Sequence, residues 1–167
     1  MTAASPDILP SPIPSTPIPS TPCLQPLFLS HGTLETRDVA AARRFYDAFL
    51  GLDTVRRNEQ AVWIRAGGTW MIACVATGEA MLPQTIENRW CLELASPSAV
   101  HAAHAAAHRR REEFAIREIG EIEEQDGRPA FRLRDLDGNW WELAAGDFHA
   151  IERLFARGDV PHDRMTA

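Results

Sequence analysis

The sequence has little cysteine and no long apolar run, and both shortages limit what the protein can be. Its three cysteines, Cys23, Cys74 and Cys91, form no CxxC pair, which argues against a disulfide framework or a zinc ribbon and favours a reducing compartment. No apolar stretch approaches the roughly 20 residues that span a bilayer, and the first residues lack the basic and apolar regions of a signal peptide. We therefore expect a soluble, cytoplasmic protein with no membrane partner.

The sequence also lacks an excess of positive charge. Its formal net charge is −6 at pH 7 and its pI is about 5.5. The one dense basic cluster, residues 109–111, is followed at once by Glu112 and Glu113, and such a mixed-sign run is typical of a solvated helix end. Phosphate-binding patterns of the GxGxxG and GxxxxGK[ST] kinds are missing. We expect neither a nucleic-acid partner nor a nucleotide cofactor.

Proline is present in quantity, but it is concentrated at one end of the chain. Eight of the twelve prolines precede residue 27, where the motif IPSTP occurs twice in tandem at 13–17 and 18–22. Proline at this density excludes both helix and sheet. Residues 1–25 are therefore predicted to be a disordered tail, with a docking peptide for a proline-binding module as the alternative. The folded domain is predicted over 26–157 and a C-terminal tail over 158–167.

From Leu27 onward the pattern changes to strands and helices. A strand over 27–36 precedes Asp38, a good helix N-cap, and a helix that stops at Gly51. Three strand-like runs follow, and the second half repeats the same order of elements. Two such units, neither of which can bury its sheet face alone, are expected to pair. The fold class is therefore predicted as α+β: two βαβββ modules forming a curved mixed sheet around a cavity, with helices outside.

Polar residues on the first and last strands are the candidates for chemistry. Strand alternation places Thr33 and Glu35 on the same face as His31, and Trp140 on the same face as Glu142. A histidine with a carboxylate is part of a facial triad for a divalent metal. Trp140 is suited to line a cavity and stack on an apolar ligand.

Three segments carry a resemblance to a known family. The run LSHGTLETRD at 29–38, with RRFY at 43–46 and FLGL at 49–52, resembles the opening module of the vicinal oxygen chelate superfamily, which includes glyoxalases, bleomycin resistance proteins and extradiol dioxygenases. The run FRLRDLDGNWWEL at 131–143 is similar to the closing hairpin of that superfamily. The resemblance implies that His31 and Glu142 are ligands of a divalent iron, manganese, nickel or zinc ion.

The third ligand position departs from the family pattern. Where metal-binding members usually have a histidine, this sequence has Arg89, and arginine cannot coordinate a cation. Either Cys91 or Glu93, on the same strand face, completes a metal site, or the site is metal-free. In the metal-free case Arg89 pairs with Glu142 and can bind an anionic substrate group bidentately.

Two functions remain open at this point. The first is an enzyme that acts on a substrate with neighbouring oxygens, with Glu35 or Glu93 as the catalytic base. The second is a metal-free protein that binds or sequesters a small molecule, with Trp140 against an apolar ring and Arg89, Glu93 and Glu142 holding polar groups. Thr33 joins Arg89 and Trp140 as a candidate substrate-binding residue. In both cases the partner is a small molecule. The two modules can pair within one chain or exchange across a homodimer.

Overall fold

A computed structural model describes residues 24, 26–82, 84–125, 127–147 and 149–157. The two predicted tails, 1–25 and 158–167, lie outside the described residues except for Leu24. Among the helices formed by the described residues, none is both long and apolar enough to cross a membrane.

The first module is a four-stranded sheet with one helix. Its elements are β1 (His31–Thr36), α1 (Val39–Arg44), a π-helical continuation (Phe45–Phe49), β2 (Asp53–Asn58), β3 (Ala61–Arg65) and β4 (Met71–Ala76). The strand order is β1-β4-β3-β2, with β1 parallel to β4 and the other pairs antiparallel. The helix begins where Asp38 accepts hydrogen bonds from the N–H groups of Ala40 and Ala41, which are otherwise unpaired at a helix start.

The second module repeats this plan with five strands. After a short 3₁₀ turn (Gly78–Ala80), its elements are β5 (Arg89–Leu94), α2 (Pro97–Arg109), β6 (Glu118–Ile119), β7 (Glu123–Gln125), β8 (Arg128–Arg134), β9 (Trp140–Ala145) and α3 (Ala150–Arg157). The order is β5-β9-β8-β6, and β7 also pairs with β8. Again the first and last strands, β5 and β9, are parallel. Two mixed sheets with helices confirm the predicted α+β class.

One apolar core joins the two modules. On β1 the side chains of Leu34 and Thr36 are buried, whereas His31 and Thr33 are exposed, so the alternation predicted for this strand is confirmed. The buried side chains of both sheets and of α1 and α2 form a single cluster. Because this core lies on the helix side of the sheets, the opposite sheet faces carry the polar residues.

Side chains of the turn between β8 and β9 form hydrogen bonds that connect the second module to the first. The buried Asp135 carboxylate accepts the Tyr46 hydroxyl and the Trp141 indole N–H, each at 3.0 Å, through Oδ2. Its Oδ1 accepts the backbone N–H groups of residues 137, 138 and 139 at 2.9 Å. Asp137 accepts the Thr36 hydroxyl of β1 at 2.5 Å. Burial raises the pKa of Asp135 and, with the neighbouring Asp135, that of Tyr46.

Candidate functional site

The face of the second sheet that turns away from α2 carries a cluster of charged and aromatic side chains. In the strand register, Glu142 of β9 lies between Cys91 of β5 and Arg132 of β8, and Trp140 lies between Arg89 and Arg134. We call this surface the Glu142 face. Its members come from three neighbouring strands at alternate positions, because alternate residues of a strand point to the same side.

Glu142 is held by two arginines. The Nε–H groups of Arg89 and Arg132 both donate to Oε2 of Glu142, at 2.8 and 2.9 Å. The Glu142 side chain is only 10% exposed. Burial by itself acts to raise the pKa of Glu142, but the hydrogen bonds and charges of Arg132 and Arg89 outweigh it, and the net result is a lowered pKa. The carboxylate is therefore ionised at neutral pH and orients both guanidinium groups.

Each guanidinium keeps donors for a further group. An arginine offers five N–H donors in a planar fork. Arg89 uses Nη1 for the carbonyl of Ile86 at 3.3 Å, and Arg132 uses Nη1 for Glu123 at 3.4 Å. Within the described part of the chain, Nη2 of neither arginine donates a hydrogen bond, and the two side chains are 32% and 26% exposed. The pair can therefore receive an anionic group from solvent.

Trp140 supplies an apolar wall beside the arginines. Trp140 and Arg132 line the same cavity of about 120 Å³, together with apolar residues such as Ile86 and with three acidic ones, Glu118, Glu121 and Glu123. The guanidinium carbon of Arg134 lies 5.7 Å from the centre of the Trp140 ring, within the range of a cation–π contact. Trp140 is 8% exposed, so it offers an apolar edge, rather than a whole ring face, next to Arg132.

Cys91 and Glu93, the other β5 residues on this face, are both exposed. Burial of the sulfur raises the pKa of the Cys91 thiol to about 11, and the charges of Glu142 and Glu93 act in the same direction. A metal ligand must be the thiolate, which this environment disfavours.

The predicted residues of β1 lie in a different place. Thr33 and Glu35 line a cavity of about 250 Å³ together with Asn88 and Asn139. Glu35 accepts the backbone N–H of Leu82 at 3.4 Å. His31 lines neither this cavity nor the one beside Trp140; its Nδ1 lies 2.8 Å from the Ser30 hydroxyl on the surface. The structure thus brings Arg89, Trp140 and Glu142 together on one sheet face, and Thr33 and Glu35 together in a separate cavity.

The side chains at these positions do not fit a divalent metal. Within the described part of the chain, no three or more His, Cys, Asp or Glu side chains are grouped so that they could hold a metal ion. One oxygen of Glu142 already faces two positive charges, and a metal cation there would be repelled by both arginines. A His31–Glu142 site would require Glu142 to leave its partners.

Arg132 is the residue of this site that reasoning from the sequence missed. It lies directly opposite Glu142 in the antiparallel pairing of β8 and β9. The signal was available, because a tight turn at 135–139 sets the register of the hairpin, and counting outward from it places Arg132 beside Glu142. Arg134 is found in the same way beside Trp140.

No family model matches the sequence, and no curated protein matches it. Solved structures do match the fold. A lactoylglutathione lyase from Agrobacterium tumefaciens has a TM-score of 0.54 over 72% of this chain and 95% of its own. A structure named as an oxidase has a TM-score of 0.56 over 74% and 97%. A glyoxalase/bleomycin resistance protein from Albidiferax ferrireducens has a TM-score of 0.54 over 71% and 98%. Each is 19% identical to this chain, so they confirm the fold that the resemblance implies.

Proposed function

We propose that this protein, whose fold is that of the vicinal oxygen chelate superfamily, is a metal-free small-molecule binding protein in which Arg89 and Arg132 hold an anionic group of the ligand. The observation that carries the proposal is the shared contact of both guanidiniums with one oxygen of Glu142. This contact neutralises the carboxylate that a metal would need. It also holds the two guanidinium groups side by side, and each keeps N–H donors that a ligand can use.

The chemistry of the Glu142 face suggests the class of ligand. A carboxylate of the ligand would accept from the free donors of the two arginines, which are suited to planar, bidentate recognition. A small apolar part of the ligand would lie at the exposed edge of Trp140, which lines a cavity of about 120 Å³ with Arg132. Because Glu142 already orients both arginines, binding would require little further ordering of these side chains.

The test compares an aromatic carboxylate with its uncharged amide, naphthoate against naphthamide, by isothermal titration calorimetry. We expect naphthoate to bind the natural protein more tightly than naphthamide. Arg132→Gln should weaken naphthoate binding about tenfold or more, because a hydrogen bond to a charged group is lost. Arg56→Gln is the matched control, since Arg56 pairs with Glu59 on the other module. Equal affinities for naphthoate in both variants would contradict the proposal.

The alternative function is an enzyme that acts on a substrate with neighbouring oxygens. The cavity that Glu35 and Thr33 line favours it, because a carboxylate beside polar groups in a cleft can act as a general base. The lyase and the oxidase with the same fold support the same alternative. Metal content decides between the two functions. We would measure it by plasma mass spectrometry after incubation with iron, manganese, nickel and zinc.

Near-stoichiometric metal that is lost in Glu142→Ala would support the enzyme and overturn the metal-free site. Metal content that stays at background, and equal in the two proteins, supports the binding protein. The homodimer and the cytoplasmic location remain predictions from the sequence.

A further inference from the structure

A larger cavity, of about 300 Å³, lies where the two modules meet. Residues of both modules line it, among them Ile64, Ile72, Trp90, Leu92 and Trp141. It shares no lining residue with the cavity that contains Trp140 and Arg132. Its volume is at the lower end of the range of known small-molecule sites, so it is suited to a compact ring system.

Two tryptophans in contact with each other line this cavity. The ring centres of Trp70 and Trp90 are 5.4 Å apart and their planes are inclined by 40°. Trp70 is 37% exposed, so part of its indole is open to solvent. An apolar ring that enters the cavity would cover both indoles.

Trp90 is held in position by a glycine of β1. A Cβ atom on Gly32 would lie 2.4 Å from Cη2 of Trp90, a separation that no side chain can adopt. Only a residue without a side chain therefore allows the indole to lie directly against the β1 backbone. This contact fixes one wall of the cavity before any ligand arrives, and such preorganisation favours binding.

The β3–β4 turn leaves the edge of the cavity uncovered. Gly67 and Gly68 both line it, with φ angles of +79° and +63°. A Cβ atom at either position would meet nothing within 4 Å. The two glycines thus place no side chain in the cavity, and open space adjoins it at these two positions.

The charge around the cavity indicates a neutral ligand. Among the described residues that line it, Arg65 is the one ionised side chain, and its Nε already pairs with Asp53 at 3.2 Å. Apolar groups make up most of the remaining wall. We propose that this cavity is a second binding site, distinct from the cavity beside Trp140 and Arg132, for a neutral, planar aromatic molecule that lies against Trp70 and Trp90.

The test uses naphthol, a neutral planar ring, and follows the indole N–H signals of the protein by NMR. We expect the signals of Trp70 and Trp90 to shift on addition of naphthol, while that of Trp63 stays in place. Trp63 lies on the opposite face of β3, where Arg57 covers its ring at 5.5 Å. Trp70→Ala should weaken binding about three- to tenfold, because one aromatic contact is lost. Trp63→Ala is the matched control and should bind as the natural protein does.

Gly32→Ala provides a second, independent variant, because its methyl group displaces the Trp90 ring. We expect weaker naphthol binding in this variant, with circular dichroism used to confirm that the protein is folded. Three outcomes would overturn the proposal: no naphthol binding, an affinity that Trp70→Ala leaves unchanged, or shifts confined to the Trp140 signal. The last outcome would place the ring at the Glu142 face instead.

Discussion

Replacing Arg132 with methionine tests whether the Glu142 face is built as an ion-paired site. Methionine keeps an apolar stem of similar length but removes the Nε donor that lies 2.9 Å from Glu142. Glu142, with a side chain that is 10% exposed, would keep Arg89 alone. A hydrogen bond to a charged group contributes about 1.5–3 kcal/mol. We expect Arg132→Met to lower the free energy of unfolding at pH 7 by an amount in this range.

The pH dependence of that loss gives a sharper test. Burial acts to raise the pKa of Glu142, yet the two arginines bring it below its usual value. A carboxyl whose pKa is lowered by folding stabilises the protein above its unfolded pKa of about 4.3, and this contribution disappears as the pH falls through the folded pKa. The difference in stability between the natural protein and Arg132→Met should therefore be full at pH 7 and shrink below about pH 4.3.

Urea unfolding followed by tryptophan fluorescence, at pH 7 and at about pH 3.5, measures both quantities. Arg56→Met serves as the control, because Arg56 pairs with an exposed glutamate, Glu59, and exposed pairs contribute little. The reasoning is refuted if Arg132→Met is as stable as the natural protein at pH 7. It is also refuted if the stability difference is the same at both pH values.

Two further predictions concern groups on either side of the sheet. Asp135→Asn should destabilise the protein by about 1–3 kcal/mol or more. The reason is that an amide NH₂ group in place of Oδ2 leaves the buried indole N–H of Trp141 without an acceptor. An unchanged free energy of unfolding in urea would contradict this prediction. Cys91 should react slowly with iodoacetamide at pH 8, because its pKa is about 11. Glu142→Gln should speed that reaction, as judged by peptide mass spectrometry, and an equal or slower rate would count against the contact between the two side chains.

Much of the fold is predictable from the sequence because the signals are local. The cap at Asp38 and the stop at Gly51 mark the first helix, and the structure has both, with Gly51 at a φ of +70°. The alternation of β1 predicts which side chains are buried, and Leu34 and Thr36 are buried. Such patterns depend on neighbours within a few residues, which the sequence displays directly.

The short strands β6 and β7 were not predictable in the same way. The run at 114–119 is strand-like in the sequence, but the structure has Glu118–Ile119 alone in that region and adds Glu123–Gln125. Both strands exist through their pairing with β8. Side-chain pattern says little about so short a strand, since pairing partners decide whether it forms.

Some features of the candidate site were also predictable from the sequence, and others were not. The sequence alone showed an arginine, Arg89, where the family resemblance implies a histidine. It also predicted that Arg89 could pair with Glu142 and that Trp140 shares the Glu142 side of its strand. Only the tertiary structure decided that Arg132 joins Arg89 on one oxygen of Glu142. It also decided that Glu35 faces another cavity and that Trp70 and Trp90 stand together at the junction of the modules. The faces of a strand follow from local geometry, whereas residues 53 positions apart, such as Arg89 and Glu142, meet only through the pairing of distant strands and the packing of a shared core.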